Sequence, residues 1–273
     1  ATEIKDHFYQ KAIKAGYSEE YLVDSGLAIK NERGAIDRFR GRVIFPIRTM
    51  AGRVQGFGGR ILSSTAKTAK YLNSPESEVY RKSQVLYGIY ESKKAIAKED
   101  ACYLVEGYTD VIQLFQNGIE NVVSSSGTAL TSEQIRLIRR LTSNIVVLFD
   151  ADVAGLRAAI RGVDLILEQG MNVKICIFSE GEDPDSYAKS HSQEEINNYL
   201  KAEAKDFIEF KTHILLKEAN QDPVKKAVTV REIIQSISKI PDPIQQEIYI
   251  KQCAVAMEVS EPVLFNTLAQ EQN

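Results

Sequence analysis

Four short runs rich in β-branched and aromatic residues punctuate residues 101–181: "ACYLVEG" (101–107), "NVVSSSG" (121–127), "NIVVLFD" (144–150) and "NVKICIFSEG" (172–181). Between them lie three stretches with helical periodicity, "YTDVIQLFQN", "TSEQIRLIRRL" and "VAGLRAAIRGVDLILEQG". Strand and helix alternating at this spacing predict a mainly parallel sheet flanked by helices, an α/β fold. The strands are almost continuously apolar, which fits a sheet buried on both faces. Open parallel sheets collect their ligands at the carboxyl ends of the strands. The residues that close each run are therefore the candidate functional ones.

Three of the four runs close on acids. The first delivers Glu106, the third Asp150 and, two residues on, Asp152. The fourth delivers Glu180 or Glu182, then Asp183 and Asp185. Residues two apart on an extended segment point to one side, so Asp150 and Asp152 can face one site. Clustered carboxylates raise each other's pKa unless a cation neutralises them. A hard, oxygen-seeking ion such as Mg2+ is the simplest partner. No His or Cys stands near these acids, so zinc is not expected in this chain. Each acid also has a purely structural use. Asp183 before Pro184 has the form of a helix cap, and Asp110 suits the start of a helix after Gly107. A strand-end Asp-X-Asp alone also occurs in receiver domains and haloacid-dehalogenase-like phosphatases. Three acid-tipped strands together are the stronger signal.

The flanks differ in character. Residues 1–95 predict a basic α+β subdomain: a helical pair over 4–27 broken at Gly16, then β-like "RVIFPIR" (42–48), "RVQGFGGRIL" (53–62) and "KYLNSPES" (70–77). Tight turns are the expected use of the glycines in "GFGG". Residues 96–200 form the α/β part. Residues 201–273 contain no glycine and predict a helical subdomain with stops near Pro223, Pro241, Pro243 and Pro262. The net charge of −3 hides an asymmetry: residues 30–94 hold 14 Lys/Arg against 5 Asp/Glu, leaving 20 against 32 elsewhere. A basic block on an acidic body suits a polyanionic partner. The apolar runs are too short to span a bilayer, the first residues lack a signal-peptide layout, and three scattered cysteines suggest no disulfide framework. A cytoplasmic protein with no membrane partner is the expectation.

"VEGYTDV" (105–111), "FDADVAG" (149–155) and "GEDPDS" (181–186) together resemble the Toprim metal site of topoisomerases and primases. "DRFRGRVIFPIR" (37–48), "VQGFGGRIL" (54–62), "KYLNSPES" and "YRKSQVLYG" (80–88) narrow the resemblance to the RNA polymerase core of bacterial DnaG-type primases. That resemblance implies an enzyme of the replisome: a DNA-directed RNA polymerase, a nucleotidyltransferase that makes short RNA primers from ribonucleoside triphosphates on single-stranded DNA. It implies Glu106, Asp150 and Asp152 as catalytic residues. The same three with Asp183 and Asp185 would hold two or more Mg2+ or Mn2+ ions, with Asp110 as an accessory. It implies nucleotide or template contacts from Arg60, Lys70, Asn73 and Lys82. Arg40 and Arg42, with Arg38, line a template groove or solvate a β-ribbon face. Phe57 and Tyr108 could stack on bases, although core packing is the default for an aromatic ring. Ala151 stands where many relatives carry glycine.

Full-length members of that family also carry an N-terminal zinc-binding domain and a C-terminal domain that docks on the replicative helicase. Both are expected only in a full-length protein, so the chain reads as a catalytic core that initiates weakly alone. Two alternatives share the acids: a Toprim nuclease or topoisomerase fragment, and a non-catalytic module that only binds nucleic acid.

Overall fold

Two short helices open the chain, α1 (His7–Lys14) and α2 (Glu19–Asp24), and Gly16 turns between them at a φ of +90° that favours glycine. In the computed structural model the described residues are 1–32, 34–62, 69–127, 129–150, 153–179, 181–212 and 222–272, with side chains from 161 onward in the helix that begins at 153. Asp152 and Glu180 lie outside them. The chain divides into two compact units, Ala1–Glu91 and Ser92–Asn273.

In the first unit a hairpin, β1 (Ala28–Asn31) and β2 (Gly34–Asp37), follows the helices. The Asp37 carboxylate accepts the Phe8 and Tyr9 N–H groups at 2.7 and 2.9 Å, satisfying donors at the start of α1. A three-stranded antiparallel sheet then runs β3 (Arg42–Arg48), β4 (Val54–Ile61), β5 (Tyr71–Asn73) in spatial order. The "GFGG" glycines lie within β4 rather than in a turn. A Cβ on Gly56 would sit 2.4 Å from the ring of buried Tyr80, and one on Gly59 would sit 2.8 Å from Phe39. These glycines exist so that aromatic rings can lie on the strand.

The division between the units falls within α3 (Ile89–Glu99). The second unit is built on β6 (Cys102–Val105), β7 (Val122–Ser124), β8 (Asn144–Phe149) and β9 (Asn172–Ile177), all parallel, with β10 (Lys205–Asp206) antiparallel at the edge. The strand order is β10-β9-β8-β6-β7. Val147, Leu148 and Phe149 are consecutive and all buried, as a two-faced sheet requires. The connecting helices are α4 (Tyr108–Gln116), α5 (Ser132–Arg139) and α6 (Val153–Glu168), followed after β9 by α7 (Pro184–Ser190) and α8 (Gln193–Glu203). Thr131 and Gln134 form a reciprocal cap that starts α5, accounting for "TSEQ".

Residues 207–212 are helical. Beyond them come α9 (Pro223–Ser238), α10 (Pro243–Met257) and α11 (Glu261–Glu271). Pro223, Pro243 and Pro262 stand in the first turns of these helices, where their fixed φ and missing N–H fit. Asp222 and Asp242 cap the first two through Val224 and Ile244 N–H at 2.9 Å each. Ile233, Ile237, Ile250, Met257 and Leu264 form their shared buried side. The three cysteines are free and buried, and no described helix is long and apolar enough to cross a membrane.

Candidate active site

Parallel pairing sends β6, β8 and β9 to the same edge. Leu104 pairs with Val147, and Phe149 with Ile177. Glu106 and Asp150 thus leave neighbouring strands at one end of the sheet, and both are exposed. Asp183 and Asp185 begin α7, which packs on α4, with Asn117 Nδ2 donating to the Ala188 carbonyl at 2.9 Å.

Asp110, in the first turn of α4, reports how these acids converge. Its Oδ2 accepts the Gly107 N–H at 2.8 Å, which is the helix-start role open to it from sequence. A Cβ on residue 107 would lie 2.9 Å from that oxygen, so any larger residue there would press on the Asp110 carboxylate. Burial pushes the Asp110 carboxyl up to about 6; the Gly107 N–H opposes this, and the charges of Asp183, Asp150 and Asp185 add to it. One carboxyl thus senses acids from two other strand ends.

Asp183 caps α7 through Oδ1, which accepts the Ser186 N–H at 2.6 Å. Asp185 pairs with Lys189 at 2.5 Å. Among the described residues no three His, Cys, Asp or Glu side chains form a group that could hold an ion, and Asp152 lies outside those residues. The donor chemistry nevertheless suits a hard divalent cation. The converging groups are all carboxylates, and added positive charge would relieve the field on Asp110.

One buried contact at this edge of the sheet was not legible in sequence. Ser124, buried at the end of β7, donates its hydroxyl to the Glu106 carbonyl at 2.6 Å and accepts the Ser126 N–H at 2.8 Å. Gly127 N–H donates to the same carbonyl at 3.2 Å. The backbone beneath Glu106 is held from the neighbouring strand. The only signal was "SSSG" closing an apolar run, which any turn could explain.

In the first unit, the pleat sorts the basic residues. Arg60 pairs with Val43 and Tyr71, and Gly58 with Asn73, so Arg60, Tyr71 and Asn73 share one face. The Arg60 guanidinium lies 5.6 Å from the Tyr71 ring centre and the Lys70 ammonium 6.0 Å from it, a compact cationic group around one aromatic. Arg42 points to the opposite face. It is buried and donates to the carbonyls of Gly59, Ala69 and Lys70 at 3.2, 2.9 and 3.2 Å. Its observed work is to tie β3 to the segment before β5 rather than to line an open groove. Arg38 is similarly engaged by the Asn73 carbonyl at 3.3 Å. Arg40 is exposed, and Lys82 stands in a short 3-10 turn whose backbone N–H donates to Glu76. Tyr108 is buried in the core, and Phe57 packs edge-on against Phe39.

A parallel sheet of this kind, tipped with acids, belongs to the Toprim class. Three family models match in sequence order: the DNA primase catalytic core N-terminal domain over 1–93, a Toprim-like domain over 103–188, and the DnaB-helicase binding domain of primase over 208–261. A primase domain structure from Pseudomonas aeruginosa is 32% identical, with a TM-score of 0.86, covering 98% of this chain and 85% of that one. A structure of the DnaG primase catalytic domain bound to ssDNA is also 32% identical, with a TM-score of 0.81, covering 92% and 82%. The DNA primase of Clostridium acetobutylicum is 35% identical over 94% of this chain. The chain belongs to the bacterial DnaG-type DNA primases and corresponds to their catalytic core. It spans 42% of the length of that curated relative. The third match revises one expectation: a helicase-binding model falls on residues 208–261 of this chain, not only on a part of the full-length protein beyond it.

Proposed function

We propose that the chain synthesises short RNA primers for DNA replication, joining ribonucleoside triphosphates on a single-stranded DNA template. The observation that carries it is the parallel register that brings Glu106 and Asp150 to one end of the sheet, with the Asp183–Asp185 start of α7 packed on α4, the helix that follows Glu106; this supports one acidic centre at the carboxyl edge. Primase cores of this family generally depend on Mg2+. Two or more such ions, or Mn2+, would be held by Glu106, Asp150, Asp152, Asp183 and Asp185. Bound there, they supply charge neutralisation on the phosphates and activation of the primer hydroxyl.

The chain's own residues do the remaining work. Ser124 and Gly127 fix the backbone that carries Glu106, and Gly107 lets Asp110 close the start of α4. Arg60, Lys70 and Asn73, with Arg40 and Lys82, bind triphosphate or template backbone. Arg42 supports them by fixing the carbonyl of Lys70. Phosphate contacts of this kind make binding salt-dependent and only weakly sequence-selective. The helical tail binds the replicative helicase.

Template-directed ribonucleotide incorporation in Mg2+ or Mn2+ tests this. Asp150→Asn and Glu106→Gln should each lower incorporation on the order of a hundredfold. Equal incorporation by the two variants and the wild-type chain would remove the assigned mechanism. Arg60→Ala and Lys70→Ala should weaken nucleotide or template binding while leaving the melting temperature unchanged.

A further inference from the structure

Helix α7 fixes both of its acids without using up either carboxylate. Asp183 commits Oδ1 to the Ser186 N–H at 2.6 Å, and its own N–H donates to the Ser186 hydroxyl at 2.9 Å. Asp185 commits Oδ2 to the Lys189 ammonium at 2.5 Å, one helical turn on. Among the described residues, neither Asp183 Oδ2 nor Asp185 Oδ1 has a hydrogen-bond or ion-pair partner. Each acid therefore keeps one oxygen uncommitted.

The Asp185–Lys189 pair places acid four residues ahead of base, the favourable order on a helix. Its two ends differ in their surroundings. The Asp185 side chain is 19% exposed and that of Lys189 is 58% exposed. An ion pair with so open a cation adds little to stability. Its consequence lies in charge instead. An ammonium and a hard divalent cation seek the same carboxylate and repel one another. Helix α7 packs on α4, whose first turn carries Asp110, so Lys189 is seated on the acidic set and not on a remote surface.

We propose that Lys189 is a built-in counter-ion of the acidic centre, holding Asp185 in place when no metal is bound and competing with the metal for that carboxylate. It is a positioning residue that sets how tightly the centre holds a divalent ion. This rests on the reading of Asp185 as a metal ligand and adds to it the residue that tempers its affinity.

The test is a Mn2+ titration without nucleotide, with free Mn2+ read by electron paramagnetic resonance. It compares the wild-type chain with Lys189→Gln, Lys189→Arg, Asp185→Asn and the Asp185→Asn, Lys189→Gln double variant. Lys189→Gln should bind Mn2+ roughly three- to tenfold more tightly, and Lys189→Arg, which keeps the charge, should stay within about twofold of wild type. Asp185→Asn should bind more weakly, and in that background Lys189→Gln should change affinity by less than about twofold. Melting temperatures should stay within about 1 °C for both Lys189 variants. A merely structural lysine would give lost stability with no gain in affinity. Unchanged or weaker binding by Lys189→Gln would overturn the role of Lys189 while leaving Asp185 a ligand, provided that Asp185→Asn weakens binding. An equal gain in the Asp185→Asn background would make it a general charge effect and overturn the competition. Wild-type affinity in Asp185→Asn, or no binding by the wild-type chain, would overturn both readings.

Discussion

The Nζ of Lys211 lies 3.1 Å from Oδ1 of Asp164 and also contacts the Ser236 hydroxyl, joining the 207–212 helical segment, α6 and α9 at one buried point. The Ser236 hydroxyl donates to the same Asp164 oxygen at 2.6 Å, and Lys239 reaches the other oxygen at 3.9 Å. The two ends of this pair are unequal. Lys211 is 2% exposed, whereas Asp164 is 21% exposed and keeps Ser236 and Lys239 when the lysine is lost. Asp164→Ala should therefore cost about 3–5 kcal/mol by stranding a buried ammonium. Lys211→Met should cost about 1 kcal/mol, since a similar volume stays filled. Chemical denaturation of both variants checks the ordering, and a larger loss for Lys211→Met would contradict it.

The parallel sheet was legible because its signal is local. β6, β8 and β9 are apolar runs that end where their acids begin, and register in a parallel sheet brings those ends together without further information. The position of Glu106 and Asp150 at one end of the sheet, and of Asp183 just past β9, could thus be anticipated from sequence. Arg42 and Ser124 could not. Whether "RFRGR" lines a groove or holds a fold depends on pleat and on distant carbonyls at 59, 69 and 70. Gly56 was misread as a turn residue because its reason for being, the Tyr80 ring, is 24 positions away. The edge strand Lys205–Asp206 is two polar residues long and carries no periodicity to detect. Its identity comes only from pairing with β9.

Arg42 and Arg40 are two positions apart and should separate cleanly by experiment. Arg42→Ala removes a buried donor from the carbonyls of Gly59, Ala69 and Lys70, of which Lys70 keeps the Ile61 N–H at 3.1 Å, and should lower stability by about 2–4 kcal/mol. Arg40→Ala should leave the melting temperature within about 1 °C, as exposed substitutions do. If Arg40 meets the template backbone, its loss should weaken single-stranded DNA binding and reduce the salt dependence of log K by roughly 0.7. A thermal scan and a salt titration of DNA binding measure both effects.

Asp110 gives the second unit a pH dependence of defined sign. In the folded chain its carboxyl is held at about 6, above its ordinary value of 3.8, chiefly by burial. When pH rises past 3.8 the unfolded chain ionises first, and the folded chain follows only near 6. The stability difference between low and neutral pH is therefore unfavourable to the fold, on the order of 3 kcal/mol, developing between about pH 4 and 6. Asp110→Asn should flatten that part of the stability profile in metal-free buffer. Added Mg2+ should lessen that slope only in part in the wild-type chain, because it offsets the charge of Asp150, Asp183 and Asp185 but not the burial that contributes most. Urea denaturation across this pH range, with and without Mg2+, reads the slopes directly.

Ser124 tests whether a hydroxyl with no place in the acidic set still governs it. Removing its Oγ takes the 2.6 Å donor from the Glu106 carbonyl and the acceptor from the Ser126 N–H, while Gly127 N–H still reaches that carbonyl. Two broken hydrogen bonds at a buried position should cost about 1–3 kcal/mol of stability. The informative quantity is the comparison with chemistry. If Ser124 positions Glu106, Ser124→Ala should lower the turnover rate roughly tenfold with little change in KM for ribonucleotides, the pattern of a misplaced group that acts in the transition state. Ser124→Thr, which keeps a hydroxyl at the same place, should restore most of that rate. A loss of stability with turnover unchanged would mean that the bond from Ser124 holds the strand end together without steering the glutamate above it.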